Sequence, residues 1–265
     1  MLPKNFFENH FLGEQKNELF VALASDGSFN EKYEKMKSVI MNLDKYSFKG
    51  IFCVQNDLIT DDNTFKIFDA IAHSRMLLFD LSDDLRFKDK KEINTNVIYE
   101  LGVALTFRDK RDCVLIRKKD RPIEELPFDI KHLTINEYEN LAEPWLKELL
   151  INAIKSQLSY KEIILEGIAR TIDEIGYSII KFWALPNPSE KRHFNILSMT
   201  NFLNQTLPGR ELTKEEVRSS VHRFLDLGIV TMRAEDKTPN VFETAYHWTS
   251  FGKKILEFIK ERGRN

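Results

Sequence analysis

The strongest constraint on this fold is an alternation in the first part of the chain. Short apolar runs, each closed by polar residues, are separated by amphipathic stretches. Residues 19–24 are apolar and end in Ser25-Asp26-Gly27-Ser28; residues 51–54, 76–81 and 113–116 repeat the pattern. Such runs, bounded by turn residues, read as buried strands. Between them, residues 30–43 carry Tyr33, Met36, Val39, Ile40 and Leu43 at helical spacing. Residues 61–74 carry Phe65, Phe68, Ile71 and Ala72 on one face, and residues 96–107 form a third such segment. Strands alternating with helices of this length predict an α/β domain, a parallel sheet with helices on both faces.

In such sheets ligands bind beyond the carboxyl ends of the strands. Those ends are Ser25-Asp26-Gly27-Ser28, Gln55-Asn56-Asp57, Asp80-Leu81-Ser82-Asp83 and Arg117-Lys118-Lys119. Polar and ionisable residues therefore gather on one rim. The phosphate cradles of P-loop proteins and of dinucleotide dehydrogenases are absent, because neither glycine pattern occurs. A nucleophile elbow and a metalloprotease zinc motif are absent too. The two cysteines, Cys53 and Cys113, lie in apolar runs, which predicts buried, reduced thiols and no structural zinc.

The stretch 94–104 carries the most specific chemistry. Asn94 or Thr95 can cap a helix start. Val97, Leu101 and Ala104 share one face, while Asn96 and Glu100 lie four apart on another. Glu100 is a carboxylate inside a mostly apolar helix. Such a group is either on the helix's solvated edge or paired, hydrogen-bonded or facing a cleft, because burying a lone charge is costly.

Three motifs together carry a resemblance: Asp80-Leu81-Ser82-Asp83, then Asn96-Val97-Ile98-Tyr99-Glu100-Leu101-Gly102-Val103-Ala104, then Leu126-Pro127-Phe128-Asp129. Over about residues 18–140 the chain resembles the superfamily joining nucleoside 2-deoxyribosyltransferases with TIR-like domains. The resemblance implies a flavodoxin/TIR-like domain. It also implies that Glu100 attacks, or stabilises charge at, the anomeric carbon of a ribosyl group, since an oxocarbenium-like transition state needs a nearby anion. Asp80 would bind ribose hydroxyls, and Asn94 and Asn96 would orient the sugar or Glu100. Ser25 and Asp26 would line the opposite side of the cleft, with Asp83 and Tyr99 also contacting the nucleotide. Two departures stand out. Deoxyribosyltransferases carry an acid six residues before the glutamate, where this chain has Asn94. The insert 82–94 is charged and longer than a minimal loop.

The second part changes character. Residues 143–158 form a helix that closes the first domain, which is expected to span 1–158. A further helix, 163–183, is interrupted near Gly176, and Pro186-Asn187-Pro188 breaks the chain. Thr213 and Glu216 form a capping box that opens the helix 213–227. Strand-like segments 229–233 and 241–248 flank a turn at 235–240, and a last helix spans 253–262. This order resembles a winged helix-turn-helix, an α+β domain expected over 159–265. If it binds DNA, Lys214, Arg218, Ser219, His222 and Arg223 face the major groove, and Arg233 and Lys237 meet phosphates. The alternative is a protein-interaction or dimerisation module. The chain's net charge is −2, and residues 161–265 hold 16 Lys and Arg against 14 Asp and Glu, too even for a strongly basic surface.

Two functions follow as expectations. The first is an enzyme that cleaves the N-glycosidic bond of NAD or a related nucleotide, needing no further cofactor and no metal. Its winged helix would mediate homo-oligomer assembly, as in bacterial defence effectors against phage. The second is a nucleotide sensor coupled to a DNA-binding regulator. No apolar run approaches the length of a membrane span, and the start, Met1-Leu2-Pro3-Lys4-Asn5, lacks the apolar core of a signal peptide. A cytoplasmic protein is expected.

Overall fold

The computed structural model describes residues 16–46, 48–53, 60–86, 92–120, 122, 126, 128–186, 193–207, 209–238 and 241–262. The expectation for the chain start lies outside these residues, as do the strand end 55–57 and most of the break at 186–188. The chain divides into two compact units, residues 1–159 and 160–265.

The first unit is α/β. Its strands are β1 (Lys16–Ala22), β2 (Gly50–Phe52), β3 (Ser74–Asp80), β4 (Cys113–Lys118) and β5 (Ile135–Tyr138). They form one sheet in the order β2-β1-β3-β4-β5, with every neighbouring pair parallel. The crossovers include α1 (Phe29–Met41), α2 (Thr60–His73), α3 (Thr95–Phe107) and the short α4 (Phe128–Lys131). The alternating side chains of the strands feed two separate cores. On one face Leu19, Val21, Met76, Leu78, Val114 and Ile116 pack against α1 and the helix that begins at Glu143. On the other, Phe20, Ala22, Leu77, Phe79 and Leu115 pack against Ile71 of α2 and Val97, Leu101 and Ala104 of α3. Strands buried on both faces explain the unbroken apolar runs.

Sequence reasoning missed β5, whose residues are mixed, two half-buried, one exposed and one buried. The sequence also set Arg117 on the polar rim at the end of the fourth strand. Arg117 is 1% exposed, because it forms an ion pair with Glu137 on the adjacent β5 and donates to the Pro122 carbonyl.

The helix expected to end at 158 continues: α5 runs Glu143–Thr171 without a break. The interruption comes later than Leu158 and earlier than Gly176. Asp173 caps α6 (Glu174–Ser178), accepting from the Gly176 N–H at 2.7 Å, and a π-helical stretch, Ile179–Ala184, follows.

The second unit is α+β. It holds β6 (His193–Phe194), α7 (Ile196–Thr206), α8 (Lys214–Asp226), β7 (Val230–Thr238), β8 (Val241–Trp248) and α9 (Ser250–Arg262). The three strands form an antiparallel sheet in the order β6-β8-β7. The capping box is present: the Glu216 N–H donates to Thr213 Oγ1 at 3.3 Å, and Glu216 Oε2 accepts the Thr213 N–H at 2.8 Å. The core joins Ile179, Met199, Val217, Phe224, Ile229, Tyr246 and Ile255. The expected turn at 235–240 is corrected. Residues 235–238 continue β7, pairing as far as Thr238 with Val241. Backbone pairing with β8 outweighs the low strand preference of Asp and Lys.

Candidate functional site

The order β2-β1-β3-β4-β5 makes the chain turn to opposite sides of the sheet after β1 and β3. Between those two strands the loops diverge and leave a crevice at the carboxyl ends. Two clasps tie its sides together. Asp26, after β1, accepts the Leu85 N–H at 3.0 Å with Oδ2, and its Oδ1 accepts the Ser28 N–H at 2.8 Å. Lys32, one turn into α1, donates to Asp80 Oδ2 at 2.8 Å.

Asp80 ends β3 and is buried. Its Oδ1 accepts the Ser82 N–H at 3.1 Å and the Ser82 hydroxyl at 2.5 Å, while the Tyr138 hydroxyl lies 3.3 Å from Oδ2. Ser82 Oγ in turn accepts the Lys118 N–H at 2.8 Å. An ionised carboxylate offers about four acceptor sites, and Lys32, both Ser82 donors and Tyr138 occupy them. Asp80 thus joins the ends of β3, β4 and β5 to α1. Burial alone would lower the Lys32 pKa, but the Asp80 charge reverses this and holds it above the usual lysine value. Burial, and then the Asp80 charge, pushes the Tyr138 phenol up to about 12.

The insert after β3 is pinned at its base. Asp83 pairs with Ile93 in an isolated antiparallel bridge, and the Asp84 N–H donates to the Glu92 carbonyl at 2.9 Å. Asp84 is buried. It accepts from Arg86 at 2.6 Å and from Asn94 Nδ2 at 2.8 Å, and the Arg86 hydrogen bonds hold its pKa down at about 2. Asn94 Oδ1 caps α3, accepting the Asn96 and Val97 N–H groups at 2.9 and 3.3 Å. Both ends of the Asn94 amide are thus in use within the fold.

Glu100 is half-buried on α3. Its charge is felt by the half-buried Cys53, just beyond β2, whose sulfur also meets the Leu23 backbone N–H. Glu100 therefore lies by the ends of β1 and β2. Burial alone pushes its pKa up to about 7. Among the described residues no hydrogen bond or ion pair engages its carboxyl group. Burial, and then Glu100, raises the Cys53 thiol to about 12, so this thiol stays protonated at neutral pH.

The other expected residues divide. Ser25 and Asp26 are half-buried at the crevice, and Asp83 is half-buried at the insert base. Asn96 is exposed on α3. Tyr99 is 56% exposed, its ring centroid 6.4 Å from that of Phe68 on α2. Asp80 and Glu100 form separate groups with no direct interaction among the described residues. Lys32, Ser82 and Tyr138 were missed. The Lys32 and Tyr138 partners lie 48 and 58 residues away in the chain, a separation to which helix and strand periodicity is blind.

In the second unit, Lys214, Arg218, Ser219 and His222 are exposed on α8, and Arg233 is exposed on β7. Arg223 is drawn towards Asp173 in a 3.4 Å ion pair, and Arg218 lies 3.8 Å from Glu215. Among the described residues no group of three or more metal-ligating side chains is found. No described helix is long and apolar enough to cross a membrane. No protein-family model matches the chain, and no curated protein matches it.

Proposed function

We propose that the first unit is a flavodoxin/TIR-like domain that cleaves the N-glycosidic bond of NAD or a related nucleotide, with Glu100 as the catalytic carboxylate. One observation carries this reading: a half-buried carboxyl group, unpaired among the described residues, near the carboxyl ends of β1 and β2, of which β1 is one of the two strands that frame the switch-point crevice. A perturbed acid in such a place is the expected mark of chemistry rather than of packing. In the reaction the carbon–nitrogen bond breaks and its electron pair leaves with the base. The ribosyl carbon gains positive charge, which ionised Glu100 stabilises until water adds and releases a proton. A pKa near 7 keeps Glu100 partly ionised at neutral pH, and a cationic ribosyl centre draws it fully to the carboxylate. Lys32, Asp80, Ser82 and Tyr138 act as positioning residues for the rim.

The order of α6, β6, α7, α8, β7 and β8 supports a winged helix in the second unit, with β7 and β8 as the wing. A second reading has a specific support: Lys214, Arg218 and His222 are exposed on α8, with Arg233 exposed on the adjacent hairpin. Under it the first unit senses a nucleotide and the second binds DNA.

The test is nicotinamide release from NAD by the purified full chain, with Glu100→Gln beside it. Release by the parent and loss in the variant, with ligand binding kept, is expected. Equal release by both overturns the role of Glu100. Binding without release by the parent, together with a salt-dependent DNA complex lost on Arg218→Ala, selects the second reading.

A further inference from the structure

The second unit carries a surface that neither reading uses. On α5, Ile163, Glu166, Gly167 and Arg170 follow the spacing that puts them on one helical face. Ile163 is 65% exposed. Beside this face lies a concave site of about 310 Å³. Its apolar wall is Ala169, Tyr177, Phe258 and Ile259, and its rim is Glu166, Arg170 and Arg262. Tyr177 is 45% exposed, and the Arg262 guanidinium lies over the Phe258 ring at 4.7 Å. The molecule thus presents an apolar projection and, one to two turns further along the same helix, an apolar hollow.

The charges on this face are ordered. Glu162 and Glu166 lie toward the amino-terminal side and Arg170 toward the carboxyl-terminal side. Arg170 binds Glu166 at 2.7 Å, and Arg262 bridges Glu162 at 3.0 Å and Glu166 at 3.3 Å. With Arg262 counted, the amino-terminal side keeps one net negative charge against the positive Arg170 on the other side, which leaves the face complementary to its own reverse. A side chain at Gly167, between the two ends, would meet no atom within 4 Å, so a second helix can approach there.

We propose that two copies of this chain associate through this face, their α5 helices antiparallel and crossing near Gly167. At 1.5 Å per residue, Ile163 lies about 6 Å to one side of that crossing. A two-fold axis at the crossing carries Ile163 of the second copy the same distance to the other side. There, at the level of Arg170 and Thr171, the hollow opens. The same rotation sets Arg170 of each copy beside Glu162 and Glu166 of the other. One surface serves both copies, as an isologous contact requires. The apolar centre with a charged rim is the usual anatomy of such an interface.

Sedimentation velocity on the full chain, from about 1 to 100 µM, tests this. A reversible dimer is expected, weakened about tenfold or more by Ile163→Glu. Glu162→Arg and Arg170→Glu should each weaken it, and the double exchange should restore it. Ile163 is exposed, so its replacement leaves the fold intact, which far-ultraviolet circular dichroism checks. A chain that stays monomeric through this range overturns the proposal. So does a dimer indifferent to Ile163→Glu and to both charge reversals. Neither result bears on Glu100 chemistry, which the release assay reads separately.

Discussion

Lys32 Nζ reaches Asp80 Oδ2 across 2.8 Å, and the Asp80 side chain is 1% exposed while that of Lys32 is 17% exposed. The pair joins the first turn of α1 to the end of β3, on opposite sides of the switch point. Lys32→Met leaves the Asp80 charge buried without its cation, which costs about 3 kcal/mol. For a unit of this size that lowers the thermal midpoint by roughly 6–12 °C. The pH dependence has a definite sign. The folded-state pKa of Lys32 is raised, so its contribution is fully present below the ordinary lysine pKa and is lost as pH rises through the raised value. Urea titrations at neutral and strongly alkaline pH should show the parent approaching the variant only at the alkaline end.

The surroundings of Asn94 explain why an acid at this position is disfavoured. Its Nδ2 donates to the buried Asp84 carboxylate at 2.8 Å while its Oδ1 caps α3. Asn94→Asp keeps the cap but sets a second carboxylate against Asp84. Losing this donor and adding a like charge should cost about 2 kcal/mol at neutral pH. Acid should relieve the cost as the new carboxyl takes up a proton. Asp84, held at about 2 chiefly by Arg86, contributes stability that is present above the ordinary aspartate pKa and fades as pH falls towards 2. The expected signature is a urea midpoint that drops at pH 7 and recovers near pH 4. An unchanged midpoint at pH 7 would contradict this account.

These two sites show what the sequence could and could not reveal. β1, β3 and β4 were legible because burial on both faces leaves no room for alternation, and β2, half-buried at the sheet edge, was legible from its apolar run alone. β5 was not, since it is short and only Tyr138 in it is buried. Missing β5 meant missing both the Tyr138 contact with Asp80 and the Glu137 partner that draws Arg117 into the interior. Lys32 looks like any lysine on an amphipathic helix until β3 is placed beside it. Local spacing left Glu100 on a solvated edge or facing a cleft, and only the expected family resemblance singled it out. Its distance from the Asp80 group depends on how α3 is laid over the sheet, which no local pattern encodes.

Glu100 should cost the first unit stability wherever it is ionised. Its folded-state pKa is raised to about 7 by burial, so the stability linked to its protonated form is present below the ordinary glutamate pKa and lost as pH rises through 7. Glu100→Gln removes that loss. The variant should match the parent near pH 4 and exceed it by about 2–3 kcal/mol at pH 8. Under the proposed function the same change abolishes turnover, a gain in stability against a loss in activity. A variant no more stable than the parent at pH 8 would mean that Glu100 is well solvated, and the argument for its perturbed environment would fail.

Gly252 offers a test in the second unit that is independent of any charge. A Cβ built at this position would collide with the Ile229 carbonyl oxygen, a backbone atom in the turn between α8 and β7. The turn cannot move aside easily. Thr249 Oγ1 donates to the Gly228 carbonyl at 2.6 Å and accepts the Gly252 N–H at 2.8 Å, and the Thr249 N–H donates to the Ile229 carbonyl at 3.1 Å. Gly252 is thus fixed by close approach of two backbones, with no call on unusual torsion angles. Gly252→Ala must push α9 away from the turn and loosen Ile255, Leu256 and Ile259 in the core. Overpacking of this kind costs about 3 kcal/mol. Trp248 packs on Phe194 and Phe224 in that core, so its fluorescence reports the change. The expected result is a lower urea midpoint followed at Trp183 and Trp248, with Trp145 replaced by Phe to remove the signal of the first unit. A midpoint equal to that of the parent would mean that α9 does not press on the Ile229 turn.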